Sequence, residues 1–287
     1  MKFKAWLSVS LLAITAMVVA VACQKSAGES IPAGQAKLSV YLLDGPTDYN
    51  NVFIDIQGLL VKVDTCERIG DSSRHHDDDD YNDRCEKECE LWDTLSIRPG
   101  VYDILKFQNG LDTLLASGYI PNGKIERIKF VLGTNNSVVV DSVSYPLILK
   151  DNKSYVYVDI KHSDIDSLTN SSWQFFLDFN LGKSITYKNN KYYLRPYLKF
   201  FGAKATGEIE GKVRPVGSHG VVKAYNSTDT AFAFPRWNEG EFKIRGLKPG
   251  TYSVFVEGKN GYKDTTIVNV EVKRGRETEL GTITLRK

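Results

Sequence analysis

The sequence has only one long apolar run, and no later segment could cross a membrane. This run, Ala5–Ala22, follows Lys2 and Lys4 and ends in small residues before Cys23. A basic start, an apolar centre and small residues before a cleavage point are typical of a secretory signal, which we place at residues 1–22. The alternative is an uncut transmembrane helix, for which the run is short, since a span needs about 20 residues.

The end of the apolar run also carries a motif. Ala20-Val21-Ala22-Cys23 resembles the lipobox of bacterial lipoproteins, with alanine where leucine is usual. The resemblance implies that Cys23 is acylated and becomes the first residue of the mature chain, which anchors firmly because several acyl chains bind better than one. We therefore expect a lipid-anchored protein of the cell envelope, in the outer membrane on either face, with residues 23–35 as a flexible tether.

An excess of charge of one sign is missing as well. The chain has 37 Lys and Arg against 35 Asp and Glu, and 35 of each remain without Lys2 and Lys4. A neutral mature chain gives no electrostatic basis for binding nucleic acid. We therefore expect no nucleic-acid partner.

Histidine is scarce, and recognisable catalytic motifs are missing. The four histidines are His75, His76, His162 and His219. None lies in a nucleophile elbow, a metalloprotease helix or a phosphate loop, and we interpret the last two as exposed turn residues. Asp103 and Asp112 could be imagined as a carboxylate pair for sugar hydrolysis, but no cleft is evident to hold them. We therefore expect no enzymatic activity.

Short alternating strands fill the rest of the chain. Leu38, Val40 and Leu42 share one face of the first strand, and Val52–Asp64 forms a long strand with Gly58 as a bulge or bend. Further strands are expected near 90–95, 101–107, 124–132, 136–140, 143–149, 155–160, 173–180 and 191–201, with a short helix over 111–117 that Gly118 ends. This pattern predicts an all-β fold of two β-sandwich domains, residues 36–202 and 203–287.

The C-terminal part carries motifs of a known domain type. The motifs are GKV (211–213), VKAYN (222–226), GEFKI (240–244), LKPGTY (247–252), GY (261–262) and LGTI (280–283). Together they resemble the carboxypeptidase regulatory-like, or transthyretin-like, domain over residues 207–285. Six or seven strands fit between residues 207 and 287. The resemblance implies a non-catalytic sandwich of the carbohydrate-binding-like group.

The N-terminal part resembles a second family. Its motifs are LSVYLLDGP (38–46), VKV (61–63), GVYDIL (100–105) and IPNG (120–123). They resemble the bacterial lipoprotein family called domain of unknown function 4382, over about 36–200. The resemblance implies no established activity.

One Pro-Gly-x-Tyr pattern occurs in both parts. Residues 96–102, SIRPGVY, parallel residues 246–252, GLKPGTY. In each, Pro-Gly would make a tight turn, with the tyrosine at the same step into the next strand. We predict that the two sandwiches have related topology.

A highly acidic loop, residues 67–90, interrupts the first sandwich. From Cys66 to Glu90 there are ten acidic and four basic side chains, a net charge of −6, so this block must stay solvated. If the strands on either side pair as a hairpin, Cys66 and Cys89 face each other at its base. We favour this disulfide over Cys66–Cys85, and either one leaves a single cysteine over.

The same loop could bind a metal. Asp77, Asp78, Asp79, Asp80 and Asn82 offer the oxygen ligands that Ca²⁺ prefers. It is not an EF-hand, because Asp83 stands where glycine is needed and Glu90 comes one position late. Zinc held by the two loop histidines, Cys85 and Cys89 is a further alternative, and a solvated loop closed by a disulfide is the simplest one.

Aromatic residues offer the other candidate binding sites. Tyr225 and Trp237 lie in early loops of the second domain and could stack on a sugar or a partner. Phe232 and Phe234 alternate as core residues do, and for Trp237 the core and surface interpretations stay open. Tyr192, Tyr193 and Tyr197 line one strand of the first domain.

Together these features favour a non-catalytic cell-envelope lipoprotein that binds or scaffolds, with a glycan or an envelope protein as its target. One alternative is a structural subunit of a pilus-like or surface assembly, in which a partner strand adds to an open edge. Another is a binding module that depends on calcium in the acidic loop. No other cofactor is expected.

Overall fold

The computed structural model describes residues 30–44, 47, 49–66, 89–160, 168–169 and 171–287. No helix within these ranges is long and apolar enough to span a membrane. The signal segment 1–22 and the lipidation site Cys23 lie outside the described residues and stay predictions.

Strands dominate the first part of the chain. They are β1 Gln35–Asp44, β2 Asn51–Asp64, β3 Glu90–Thr94, β4 Ser96–Ile97, β5 Gly100–Asp103, β6 Thr113–Pro121, β7 Lys124–Leu132, β8 Ser137–Val140, β9 Val143–Leu149, β10 Tyr155–Asp159, β11 Ser172–Phe179, β12 Ile185–Lys188, β13 Lys191–Leu194 and β14 Leu198–Gly202. Three short helical segments are the 3₁₀ turns Ile104–Phe107 and Lys150–Asn152 and the α-helical turn α1, Leu181–Ser184.

These strands form two sheets. One has five strands in the order β14-β11-β1-β6-β4. The other has nine strands, with the path β10-β7-β2-β8-β9-β13-β12 and with β3 and β5 also paired to β2. The predicted inner face of β1 is confirmed, because Leu38, Val40 and Leu42 are all fully buried in one core with residues of both sheets. Two facing sheets with a shared apolar core make this part a β-sandwich.

Phenylalanines fill the centre of this core. The Phe175 and Phe200 rings stack with their centroids 5.1 Å apart, and Phe130 meets Phe179 edge-on at 6.1 Å. Phe130 and Phe179 come from different sheets, so their contact joins the two layers. Burying each such side chain contributes about 1.5–3 kcal/mol to the free energy of unfolding.

The predicted bulge in the long strand β2 is confirmed. Its register to β7 shifts between Ile56 and Gly58. The buried Asp55 side chain lies beside this shift, where its Oδ2 accepts a hydrogen bond from the Asn135 backbone at 3.1 Å. Its own backbone N–H donates to Asn136 Oδ1 at 2.8 Å, so the bulge is held from the neighbouring β7–β8 turn.

The predicted helix over 111–117 is wrong. Residues 113–117 lie in β6 itself, which pairs with β1 and β4. Leu115 and Ala116 are buried in the core between the two sheets, so tertiary contacts override the local helix propensity of a Leu-Leu-Ala sequence. Gly118 does not end a helix but lies inside β6.

The single strand predicted near 191–201 is two strands in different sheets. β13 ends at Leu194 in the nine-stranded sheet, and β14 begins at Leu198 in the five-stranded one. Pro196 lies between them and cannot donate to a sheet. The chain crosses from one layer to the other at this proline.

The second part of the chain forms a smaller sandwich. Its strands are β15 Gly207–Arg214, β16 His219–Tyr225, β17 Thr230–Ala233, β18 Glu241–Leu247, β19 Gly250–Gly258, β20 Thr265–Val272 and β21 Glu277–Thr284. A three-stranded sheet, β18-β15-β21, faces a four-stranded sheet, β17-β16-β19-β20. A separate apolar core lies between them, with Ile209, Phe242 and Val254 among its members. The fold is therefore all-β with two sandwiches, and the transthyretin-like assignment of the second stays a prediction.

The repeated Pro-Gly-x-Tyr pattern has the same local structure in both sandwiches. Gly100 and Gly250 have φ angles of 158° and 155°. The Tyr102 hydroxyl donates to the Arg98 carbonyl at 2.5 Å, and the Tyr252 hydroxyl lies 2.9 Å from the Lys248 carbonyl. Each corner also joins a strand of one sheet to a strand of the facing sheet, β4 to β5 and β18 to β19. This tyrosine corner is a recurrent device of β-sandwiches.

The two sandwiches contact each other directly. Lys199 of β14 donates through Nζ to the Gly246 carbonyl at 2.7 Å. A Cβ built on Gly246 would lie 2.7 Å from the Phe201 ring, which shows how closely the two parts approach. Arg245 reaches back to pair with Asp112 at 2.5 Å and lies 5.0 Å from the centroid of the Phe176 ring.

Candidate functional site

Three aromatic side chains lie exposed together on the outer face of the nine-stranded sheet. They are Trp92 on β3 and Tyr155 and Tyr157 on β10, and we call them the aromatic platform. Their exposed fractions are 44%, 43% and 44%. Exposed aromatic clusters of this kind mark binding surfaces more often than scattered single residues do.

Strand alternation places the platform outside. In β10 the sequence Tyr-Val-Tyr-Val-Asp turns Val156 and Val158 toward the core, so Tyr155 and Tyr157 must point away from it. Trp92 lies directly opposite Lys62 in the β2–β3 pairing. All three side chains are thus carried by regular strands.

The rings touch but are not coplanar. The Trp92 and Tyr157 centroids are 6.0 Å apart with 44° between the ring planes. The Tyr155 and Tyr157 centroids are 5.3 Å apart with an angle of 63°. These edge and tilted contacts are the arrangements that aromatic pairs prefer, and they hold the rings in fixed orientations.

Cations lie beside the two tyrosines. Lys129 Nζ is 4.8 Å from the Tyr155 centroid, and the Arg127 guanidinium is 5.5 Å from that of Tyr157. Arg127 also pairs with Asp159 at 2.5 Å. The platform therefore combines apolar faces with hydrogen-bonding groups of both charges.

A cluster of charged side chains surrounds Lys62, the residue opposite Trp92 in the β2–β3 pairing. Its Nζ is 2.5 Å from Glu90 and 3.8 Å from Glu126. The hydrogen bond from Lys62 lowers the pKa of Glu90, whereas burial raises the pKa of Glu126 and the nearby Glu90 raises it further. Both carboxyls are tied to one ammonium at the edge of the platform.

The predicted Cys66–Cys89 disulfide is confirmed. It joins the end of β2 to the start of β3 with 5.4 Å between the two Cα atoms. The Thr65 backbone N–H donates to the Cys89 carbonyl at 3.0 Å, so the hairpin is closed by both a covalent and a hydrogen bond. Trp92 follows three residues later, and the disulfide therefore anchors the strand that carries it.

The predicted metal site belongs to the acidic loop. Asp77, Asp78, Asp79, Asp80, Asn82 and the alternative Cys85 lie outside the described residues, so the calcium and zinc sites stay predictions. Within the described ranges, Asp64, Cys66 and Cys89 bring potential ligand atoms within 4.8 Å of one another. Because both sulfurs are in the disulfide, this group offers no thiolate.

The aromatic residues predicted in the second sandwich are spread differently. Trp237 is 82% exposed in its turn, so the surface interpretation of this residue is correct. Tyr225 is half-buried, with Lys223 Nζ 4.7 Å from its ring centroid. The core interpretation of Phe232 is wrong, because it is 44% exposed and pairs with Lys223 on the outer face, while Phe234 is half-buried.

The tyrosines predicted along one strand separate at the Pro196 break. Tyr192 and Tyr193 lie on β13, whereas Tyr197 lies beyond it. Tyr192 instead meets Tyr145 and Tyr187, with centroids 5.3 Å and 4.7 Å away. Loss of solvent around this cluster raises the pKa of Tyr192.

The two aspartates considered as a catalytic pair are each bound to another side chain, and His219 lies in a strand. Asp103 is 9% exposed and accepts a hydrogen bond from Asn51 at 2.9 Å, and Asp112 is occupied by Arg245. The interpretation of His219 as an exposed turn residue is wrong, because it begins β16 and burial lowers the pKa of its imidazole. His162 lies outside the described residues.

The platform residues were not predicted as a site from the sequence. The signal was present in the Tyr-Val-Tyr-Val alternation of residues 155–158, which sets two tyrosines on one face of a strand. Trp92 could not be added to them, because β3 and β10 reach each other only through β2 and β7. Trp92 is far from Tyr155 and Tyr157 in sequence, so no local pattern indicates that the three rings meet.

Some solved structures are similar in part. The minor pilin GBS52 of Streptococcus agalactiae is 12% identical, with 89% of this chain and 96% of that chain covered and a TM-score of 0.22. A streptococcal ancillary pilin is 11% identical, with 88% and 69% covered and a TM-score of 0.23. A fimbrial protein of Bacteroides ovatus is 8% identical, with 88% and 50% covered and a TM-score of 0.23. Likenesses this weak carry no inference about function.

No curated protein matches this chain. Residues 35–196 do match the sequence family described as Domain of unknown function (DUF4382). Because that match spans more than half of the chain, this protein belongs to the DUF4382 family.

Proposed function

We propose that this protein is a non-catalytic lipoprotein of the cell envelope that binds glycans through the aromatic platform. The observation that supports the proposal most is the group of three touching, exposed rings on one sheet face. A sugar ring has an apolar C–H face that stacks on an aromatic ring, while its hydroxyls bond to polar groups around it.

Exposure of these rings has a cost that binding would offset. Keeping a large apolar side chain in water forfeits about 1.5–3 kcal/mol relative to burying it. Trp92, Tyr155 and Tyr157 are each more than two-fifths exposed although they lie on regular strands. A ligand that covers them would recover part of that free energy.

The surroundings also suit a sugar. Glu90, Glu126 and Asp159 offer hydroxyl acceptors, and Arg127 and Lys129 offer donors. Binding surfaces commonly combine an apolar floor with a few fixed polar groups that set orientation. The sheet supplies a rigid floor here, so little ordering is needed on binding.

The sequence supports the envelope location through the lipobox-like stretch ending at Cys23, which would place the body on a flexible tether. The second sandwich, proposed to be transthyretin-like, would then hold or present the first. Asn109 and Arg245 join the two parts in contacts that fit such a supporting role.

The proposal is tested by measuring binding of soluble polysaccharides to the protein and to the variants Trp92→Ala and Tyr157→Ala. Loss of one stacked ring should weaken binding about tenfold, the equivalent of about 1.4 kcal/mol. Trp237→Ala is the matched control, since Trp237 is an exposed tryptophan of the other sandwich. Binding that is lost in the control and kept in Trp92→Ala would move the site to the second sandwich and contradict the proposal.

A further inference from the structure

We infer that the aromatic platform takes a single neutral glycan chain that turns between successive sugars. This inference rests on the proposed glycan binding and narrows it to one class of ligand. Its two parts, shape and charge, follow from different observations.

The shape follows from the ring planes. Successive planes differ by 44° from Trp92 to Tyr157 and by 63° from Tyr157 to Tyr155. A flat ligand, such as the face of a crystalline polysaccharide, can lie on at most one of these rings at a time. A chain whose sugars rotate relative to one another can instead place successive sugar faces on differently tilted rings.

The preference for a neutral chain follows from the charges beside the rings. The surrounding acidic groups are Glu90, Glu126 and Asp159, and the surrounding basic groups are Lys62, Arg127 and Lys129. Five of these six form ion pairs with one another, and Lys129 faces the Tyr155 ring. An acidic polymer would therefore find no excess of positive charge.

The acidic loop points the same way. By sequence, residues 67–88 carry nine acidic and four basic side chains, and they are bounded by Cys66 and by Cys89, three residues before Trp92. An excess of negative charge in the sequence next to Trp92 disfavours a polymer of carboxylates or sulfates at low salt. The sequence and the side-chain geometry thus agree on a neutral ligand.

The test compares each neutral polymer with its charged form on the full chain, kept in a detergent without a sugar headgroup. Dextran, laminarin and yeast mannan are each titrated beside their carboxymethylated derivatives, at low and high salt. We expect the best neutral polymer to bind at least tenfold tighter than its carboxymethylated form at low salt. Its own affinity should change less than twofold with salt, because no net charge is neutralised.

A second arm offers microcrystalline cellulose and chitin as flat surfaces, which should retain less than a tenth of the protein that the soluble polymer binds. Tighter binding of a carboxymethylated polymer, or retention on the crystalline surfaces, would overturn the inference. If that binding were lost in Trp92→Ala, the proposed function would still be upheld. No Trp92-dependent binding in any arm would overturn both.

Discussion

The side chain of Asn109 pairs with the backbone of Lys243 as a neighbouring strand would. Its Oδ1 accepts from the Lys243 N–H at 2.9 Å, and its Nδ2 donates to the Glu241 carbonyl at 2.8 Å. β18 is an edge of the three-stranded sheet, where backbone groups would otherwise lack a partner. A residue of the first sandwich therefore completes the edge of the second.

Replacing this side chain should loosen that edge. Asn109→Ala removes both hydrogen bonds and leaves the partly buried Lys243 N–H unpaired, which costs about 1–3 kcal/mol in the free energy of unfolding, while the exposed Glu241 carbonyl can bond to water. Hydrogen exchange should become faster at the Lys243 amide. Asn238→Ala, in an exposed turn of the second sandwich, is the control. Unchanged exchange at Lys243 would mean that the Asn109 contact contributes nothing in solution.

Replacing Gly246 by alanine should push the two sandwiches apart, because the added methyl group has no room. Its φ is 71°, and a Cβ there would meet the Phe201 ring at 2.7 Å. Gly261 has a φ of 82° with open space around it, so Gly261→Ala measures the backbone strain alone. We expect Gly261→Ala to cost about 1–2 kcal/mol from the left-handed backbone, and Gly246→Ala to cost about 1–3 kcal/mol more from overpacking. Equal thermal shifts for the two variants would contradict the close packing.

The two tyrosine corners should contribute different amounts to the free energy of unfolding. The Tyr252 hydroxyl lies within hydrogen-bonding distance of Asp229 Oδ2 at 3.1 Å as well as of its corner carbonyl, whereas that of Tyr102 has the corner carbonyl of Arg98. Tyr252→Phe leaves the partly buried Asp229 carboxylate short of a donor, which costs about 1–3 kcal/mol, against about 0.5–1.5 kcal/mol for Tyr102→Phe. Urea unfolding of both variants measures the difference. A larger loss in Tyr102→Phe would reverse the assignment.

Stability should fall with rising pH because of Asp178. Burial raises the pKa of this carboxyl to about 6, although the Lys199 charge opposes the shift. Its Oδ1 is buried without a hydrogen-bond partner among the described residues, while Lys199 is engaged by Gly246. The folded state thus favours the protonated form, so the stability linked to this group is complete below about pH 4 and lost as pH rises through about 6.

The variant Asp178→Asn isolates this effect. Its amide is neutral at every pH, so it should exceed the natural chain in free energy of unfolding at pH 7.5, by up to about 3 kcal/mol. The two should be nearly equal at pH 4. Urea unfolding at both pH values is the measurement, with Asp141→Asn, an exposed turn residue, as the control. An equal difference at both pH values would show that Asp178 does not titrate in this range.

Short-range pattern was enough to predict most strands and the disulfide. Leu38 and Val40 mark an inner face by alternation alone, and the hairpin of β2 and β3 sets Cys66 opposite Cys89. These features depend on residues close in sequence or on a single pairing. Local periodicity carries that information.

Features that depend on several pairings were not predictable. Leu115 lies in a strand only because β1 flanks β6, and Phe232 faces solvent because the core side of β17 is taken by Ala231 and Ala233. The platform needs β3 and β10 to approach across two intervening strands. Neither local propensity nor spacing records such neighbours.

The measurement that tests the central claim most directly is the fluorescence of Trp92 during titration with the best-binding neutral polysaccharide. The sequence has four tryptophans, of which Trp6 lies in the signal segment, so replacing Trp173 and Trp237 by Phe leaves Trp92 as the reporter in the mature chain. Stacking of a sugar on the ring should shift its emission to shorter wavelength and saturate at the affinity measured by calorimetry. Saturable binding with no change in Trp92 emission would place the glycan elsewhere and contradict the platform as the site.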